Sequence, residues 1–131
     1  MKKNLPVTSR QTEIPPGVTL VSKTDLKGRI TYANEAFVEV SGYALDELLN
    51  QSHNIVRHPD MPPAAFADMW RTLQQGKPWR GIVKNRCKNG DHYWVDACVV
   101  PVKRHDQVTG YMSVRKHAPP DAIAAAQALY H

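Results

Sequence analysis

Ile82-Val83-Lys84-Asn85-Arg86-Cys87-Lys88-Asn89-Gly90-Asp91-His92-Tyr93-Trp94-Val95-Asp96-Ala97-Cys98-Val99-Val100 is the stretch that decides the fold. Two runs rich in β-branched and aromatic residues flank Asn89-Gly90, a dipeptide suited to a type I′ hairpin turn, which wants positive φ at both central residues. In a two-residue-turn register Lys88 faces Asp91, Cys87 faces His92, Asn85 faces Trp94 and Cys98 faces Gly81. Cys87 and Cys98 are then far apart and read as small buried hydrophobes, not a disulfide.

Upstream of this hairpin lies a second one. Val18–Thr24 is rich in β-branched residues, Asp25-Leu26-Lys27-Gly28 supplies a turn, and Arg29–Ala33 returns. Asn34 stands where an N-cap belongs, and a short helix from Glu35 is stopped by Gly42. Leu45, Leu48 and Leu49 give another helical turn, and the stretch from Gln51 to Pro63 is broken by prolines. A longer helix runs from Ala64 to Gln75, with Phe66, Met69, Trp70 and Leu73 on one inward stripe. A last strand spans about Gly110 to Lys116, and Pro119-Pro120-Asp121 opens an alanine-rich helix.

Two strands, several short helices and three strands make an α+β fold. The expectation is a five-stranded antiparallel sheet with short helices packed over one face, and a ligand cleft between them. Residues 1–17 form an N-terminal arm, 18–118 the domain, and 119–131 the start of a C-terminal linker helix.

The composition excludes several function classes. At 131 residues, with 42% hydrophobic and 22% charged, the chain is one globular domain. Its formal charge of +5 is spread along the chain, with no arginine-rich arm or zinc-finger spacing, so nucleic-acid binding is not expected. No apolar run approaches the roughly 20 residues of a membrane span, and no apolar stretch follows the basic start, so neither membrane contact nor a signal peptide is expected. Two cysteines and scattered histidines make neither a disulfide scaffold nor a zinc site. Nucleophile elbow, Walker loop, dinucleotide fingerprint and His-Glu-x-x-His are all absent, so an enzyme is not expected.

The residues that carry chemistry cluster around the expected cleft. Arg57-His58-Pro59-Asp60 sets a planar cationic fork beside a carboxylate in a stiffened turn, either an anion site or an ordinary surface ion pair. Trp79, just after Pro78 at a helix–strand junction, is positioned to rim a cleft and stack on a planar ring, whereas Trp70 and Trp94 read as packing. Asn85 can meet the edge of a heterocycle if it faces inward.

Ile30-Thr31-Tyr32-Ala33-Asn34, Ser41-Gly42-Tyr43, Glu47-Leu48-Leu49 and Lys88-Asn89-Gly90 resemble the PAS superfamily. Asn54-Ile55-Val56-Arg57-His58-Pro59-Asp60-Met61-Pro62, Ala64-Ala65-Phe66-Ala67-Asp68-Met69-Trp70, Pro78-Trp79 and Gly81-Ile82-Val83-Lys84-Asn85 are similar to the PAS domain of aerotaxis receptors in particular. This resemblance implies a non-covalent FAD used as a redox and oxygen sensor. It places Asn34, Arg57, His58, Asp60 and Trp79 in the pocket; His53, Phe66, Trp70 and Asn85 are added as cleft residues from their expected place in the fold. It also implies a downstream HAMP region and methyl-accepting signalling domain, a possible PAS homodimer, and a cytoplasmic location beside the inner membrane. Against light-sensing flavin PAS domains, Asn85 matches the first ring-contacting asparagine, Val95 replaces the second, and Asn54 replaces the photoreactive cysteine. Redox is then the expected signal. A haem gas sensor using His53 or His58, or a cofactor-free PAS module for dimerisation, are the alternatives.

Overall fold

The computed structural model describes residues 7–130; residues 1–6 of the expected arm and His131 lie outside the described residues. Strands β1 (Leu20–Asp25), β2 (Ile30–Ala33), β3 (Trp79–Arg86), β4 (His92–Arg104) and β5 (Gln107–His117) form one antiparallel sheet in the order β2-β1-β5-β4-β3. Helices α1 (Glu35–Ser41), α2 (Leu45–Leu48) and α3 (Pro63–Gln74), with a 3-10 turn at His53–Val56, lie between the two hairpins in sequence. The architecture is the α+β arrangement read from the sequence.

Local chemistry explains the element boundaries. The Asn34 side-chain carbonyl accepts from the backbone N–H groups of Phe37 and Val21 at 3.0 Å, and its amide donates to Thr19 O at 2.9 Å. One side chain thereby caps α1 and ties it to β1. Gly42 ends α1 in the left-handed conformation, at φ 76°. Pro63 occupies the first turn of α3, where its missing N–H costs nothing.

Alternation divides the sheet into two faces. Leu20, Ser22, Val83, Asn85, Tyr93, Val95, Ala97 and Arg115 are buried on the face beneath the helices, and their apolar members join Phe37, Leu48, Val56 and Leu73 in the main core. The opposite face carries α4 (Pro120–Tyr130), which packs Ala126 and Ile123 on Trp94 and Ile82. The Tyr130 hydroxyl donates to Ile82 O at 2.8 Å.

The β3–β4 register differs by one residue from the expected one. Asn85 pairs with Tyr93, Lys84 with Trp94 and Gly81 with Ala97, leaving Cys98 opposite Arg80. The loop is longer than a two-residue turn: Cys87 N donates to Asp91 O and Gly90 N to Cys87 O. Only Gly90 is left-handed, at φ 97°, while the Asn89 side chain accepts from Asp91 N at 2.9 Å. The shift matters because the expected pairing would have set Trp94 beside Asn85 on the inner face. Both cysteines are free; Cys87 is buried as expected, whereas Cys98 is only half-buried.

A two-residue turn with positive φ at both central positions does occur, between β4 and β5. It is made by His105 at φ 52° and Asp106 at φ 64°, neither of which is glycine. Both strands run further toward this turn than the sequence suggested. At the N-terminal side, Thr12 N donates to His92 O and His92 N to Arg10 O, so residues 8–14 lie along the start of β4, with Ile14 buried in the core.

The exposed Asp106 holds a conformation that costs an L-residue roughly 1–2 kcal/mol. Asp106→Gly should therefore stabilise the domain by about 1 kcal/mol, read as a rise of roughly 4 °C in Tm by differential scanning calorimetry. An unchanged or lower Tm contradicts the turn assignment.

Candidate functional site

The inner face of the sheet is not filled by its own side chains. A cavity of about 470 Å³ opens between β1, β3, β4, β5 and α3, within the size range of small-ligand pockets. Its walls are mostly apolar, from Val56, Phe66, Met69, Leu73, Trp79, Val83, Ala97 and Val99. Convergent polar groups come from His53, Asn54, Arg57, Asn85, Ser113 and Arg115. Lys27, Arg57 and Arg115 supply cations, and no Asp or Glu is found among the lining residues.

Six of the nine sequence-expected site residues meet at this cavity: His53, Arg57, Phe66, Trp70, Trp79 and Asn85. Arg57 and Asn85 are joined by an isolated antiparallel bridge, which fixes the end of the 3-10 turn against β3. The Arg57 guanidinium lies 4.1 Å from the centroid of Phe66, a cation–π contact that holds its stem along the apolar wall. Trp70, expected in the core, is 37% exposed, with its ring edge-on to Tyr111 at 5.2 Å. It stands at the cavity mouth.

Trp79 is the reverse case. It is buried rather than standing at the rim, and its indole N–H donates to the Asp68 carboxylate at 3.0 Å. That bond, with Arg71 helping, holds the Asp68 carboxyl below its usual range. The ring lies flat over Gly81, where an added Cβ would come within 2.4 Å of it, so only glycine permits this approach. The bond spans α3 and β3 across the edge of the cavity.

Asn34, His58 and Asp60 do not line the cavity. Asn34 is the cap described above. His58 is 2% exposed, and its Nδ1 accepts from Asp60 N at 3.0 Å. The Asp60 carboxylate reaches out to Lys84 Nζ at 2.8 Å. His58 and Asp60 organise the turn and its join to β3, and Asn34 the join of α1 to β1, all from outside the cavity wall.

At the polar end of the cavity, Ser113 and Arg115 are not foreseen from the sequence, whereas His53 and Asn85 are. Arg115 of β5 is only 3% exposed, and it donates to Ser113 Oγ at 2.8 Å, Ser22 Oγ at 2.8 Å and His53 Nε2 at 3.2 Å. Its guanidinium also sits 4.5 Å from the Phe37 ring centroid. Burial lowers its pKa to about 10, which leaves it cationic at neutral pH. Burial, helped by the Arg115 charge, pulls the His53 pKa down to about 3. The His53 ring is therefore neutral, and accepting at Nε2 assigns its proton to Nδ1. Nothing in the strand's alternation flags Arg115, since its neighbours Met112 and Val114 are the apolar pair.

A five-stranded antiparallel sheet with short helices over a cavity on one face is the architecture of a ligand-holding α+β module. Residues 30–115 match the family described as PAS fold, and the chain belongs to that family. It is 59% identical over 124 residues to the aerotaxis receptor of Escherichia coli (strain K12), a match covering 95% of this chain and 24% of the receptor. It is 42% identical over 82 residues to the nitrogen fixation regulatory protein of Klebsiella pneumoniae, covering 63% of this chain and 17% of that protein. The chain thus spans a quarter or less of these two relatives. Among solved structures, a light-oxygen-voltage domain studied with a flavin analogue superposes with TM-score 0.72 at 23% identity over 84% of both chains. The dark structure of the Aureochrome1 LOV photoreceptor gives 0.70 at 19% identity over 86% of both. At these identities the structural likeness establishes the fold.

The buried histidines make a pH prediction. Desolvation, reinforced by Lys84, His92 and Arg86 and opposed by Asp60, lowers the His58 pKa from 6.5 to about 4. A histidine whose folded pKa lies below its unfolded value binds fewer protons native than unfolded, so stability rises with pH across that window. The contribution is complete above about pH 6.5 and is lost as pH falls toward 4. Thermal melts at pH 7.5, 6 and 5 should show a falling Tm. His58→Asn, which keeps an acceptor for Asp60 N, should flatten the fall, and an equally steep profile contradicts the role of His58.

Proposed function

We propose that this domain is the flavin-binding, redox-sensing input module of an aerotaxis-type receptor, holding FAD non-covalently in the cavity. The observation that carries the reading is the cavity itself: an apolar slot ending in Asn85, Ser113, His53 and Arg115, with cations and no acid among its lining residues. A planar heterocycle with polar edges and an anionic tail is the ligand chemistry that suits such a wall. The identity with an aerotaxis receptor and the fold shared with a light-oxygen-voltage domain studied with a flavin analogue support the same reading. No enzymatic step is proposed; the named relatives are a receptor and a regulatory protein.

When bound, a flavin supplies reversible electron uptake. The chain's own residues do the rest. Val83, Ala97, Leu73 and Trp79 exclude water from the ring and lower the local dielectric. Asn85 holds the heterocycle edge with an amide that both donates and accepts. Arg57, steadied on Phe66, meets the phosphates, with His58 and Asp60 keeping its turn in place. Ser113 and Arg115 lie on β5, which leads through His117 into α4. A change in their hydrogen bonds reaches α4 along that strand and biases two conformations of the output segment. In this reading residues 18–118 sense and 119–131 begin the link to a HAMP region and methyl-accepting signalling domain, on the cytoplasmic side of the inner membrane, with a PAS homodimer as a further partner.

The haem alternative has less support. His58 lies outside the cavity wall, and His53 Nε2, the nitrogen an axial ligand would offer, is engaged by Ser22 at 2.9 Å and by Arg115. The cofactor-free alternative leaves a cavity of about 470 Å³ without use.

An absorption spectrum of the purified protein tests the reading. Paired near-ultraviolet and blue flavin bands are expected, with FAD as the species released by heat and separated by chromatography. An intense haem band, or a colourless protein that no flavin restores, overturns it. Arg57→Ala should cut flavin content about tenfold, in line with the roughly 1.5–3 kcal/mol of a hydrogen bond to a charged group. Asn85→Ala should shift the midpoint potential more than the occupancy.

A further inference from the structure

Arg115 is a buried cation whose neighbours carry no compensating charge. Its partners are two serine hydroxyls and a neutral imidazole, and its Nε, also buried, has no hydrogen-bond partner among the described residues. Aspartate and glutamate are missing from the cavity lining against which it stands. Proteins seldom leave a guanidinium desolvated without an anion, because neutral acceptors recover only part of its hydration. Arg115 and Arg57 each lie against a phenylalanine ring, but the other lining cations are less buried: Lys27 is exposed on the β1–β2 turn and Arg57 is only half-buried. Arg115 alone belongs to the central strands, bonded to both β1 and the 3-10 turn.

We infer that Arg115 sets how strongly the cavity favours negative charge on its occupant, and hence the potential at which a bound flavin takes up an electron. The inference rests on the flavin reading above and adds a residue to it. When one electron passes from an external reductant, such as dithionite, into the ring system, the ligand's charge becomes one unit more negative. The guanidinium is already in place and already desolvated, so it lowers the free energy of that state without reorganising. His53 stays neutral and so adds no second charge; its role is to accept from Arg115 and keep the fork aimed.

The test compares wild type, Arg115→Met and Arg115→Lys in two measurements. In the flavin-loaded protein, Arg115→Met should lower the ratio of affinities for reduced and oxidised flavin at least tenfold, read as a midpoint lower by about 59 mV for one electron. Arg115→Lys, which keeps the charge, should hold most of the wild-type potential. In flavin-free protein, Arg115→Met should melt at or above the wild-type temperature, because an uncompensated charge has been removed. Equal midpoints in Met and wild type overturn the inference while leaving the flavin reading intact. Loss of flavin in both variants also overturns it, in favour of a role in shape, and a flavin-free Met variant that melts below wild type overturns it too, in favour of a structural arginine. Wild type that binds no flavin defeats the underlying reading instead.

Discussion

A sheet that turns an arginine toward its own helix-covered face cannot collapse around it. Arg115 needs partners for its donors and space around its fork, and the fold supplies Ser22, Ser113 and His53 to its two terminal nitrogens in place of bulky apolar groups, leaving Nε without a partner among the described residues. Beside these stands Ala97, a small residue that pairs with Arg115 across the strands and lines the cavity. The gap that results is the cavity. Its opposite edge is kept at a fixed width by the Trp79–Asp68 hydrogen bond, which depends in turn on Gly81 letting the indole lie flat. Polar burial and small residues, two features that weaken an ordinary core, here produce a site.

The rest of the molecule makes this arrangement affordable. The apolar core formed by Leu20, Ile30, Phe37, Leu48, Val56, Tyr93 and Val95 is fully buried and adjoins the cavity. Asn34 fastens α1 to β1 with three hydrogen bonds, and the Arg57–Asn85 bridge fastens the 3-10 turn to β3. The helical elements above the cavity are therefore tied to the sheet at its margins, and Phe37 and His53 reach Arg115 on the central strand. On the other face, α4 packs against Trp94 and Ile82, which lie on β4 and β3, the same strands whose Val83, Asn85, Ala97 and Val99 line the site. That proximity gives a change in the cavity a short mechanical route to the C-terminal helix.

Element order and the inward stripe of α3 were legible because each rests on local rules: caps, glycine stops and a 3.6-residue period. The β3–β4 register was not, because Asn89-Gly90 fits a two-residue turn as well as the three-residue loop that forms, and the Asn89 side-chain bond to Asp91 N favours the longer one. Trp79 and Trp70 exchanged places relative to expectation. A helical period shows that Trp70 faces the cavity, yet says nothing of its position at the mouth. Only the contact between Trp79 and Gly81 reveals why an aromatic after Pro78 turns inward. The Arg57 segment stood out by its residue types, but Asn34, His58 and Asp60 proved to work on the backbone around the cavity. Arg115 was hidden most completely. Alternation of Met112 and Val114 with Ser113 and Arg115 suggests the apolar pair should face inward, and the opposite is true because the inner face here borders a polar cavity.

The central claim is that the space between the sheet and α3 receives the ligand. Ala97, buried and opposite Gly81 on the cavity floor, offers the direct test, since Ala97→Phe would occupy that space with the protein's own ring. The account predicts a folded variant with wild-type far-ultraviolet circular dichroism that retains less than about a tenth of the flavin, the penalty of a steric block being well above the roughly 1.4 kcal/mol that a tenfold loss represents. Flavin content equal to wild type in a correctly folded Ala97→Phe would contradict it.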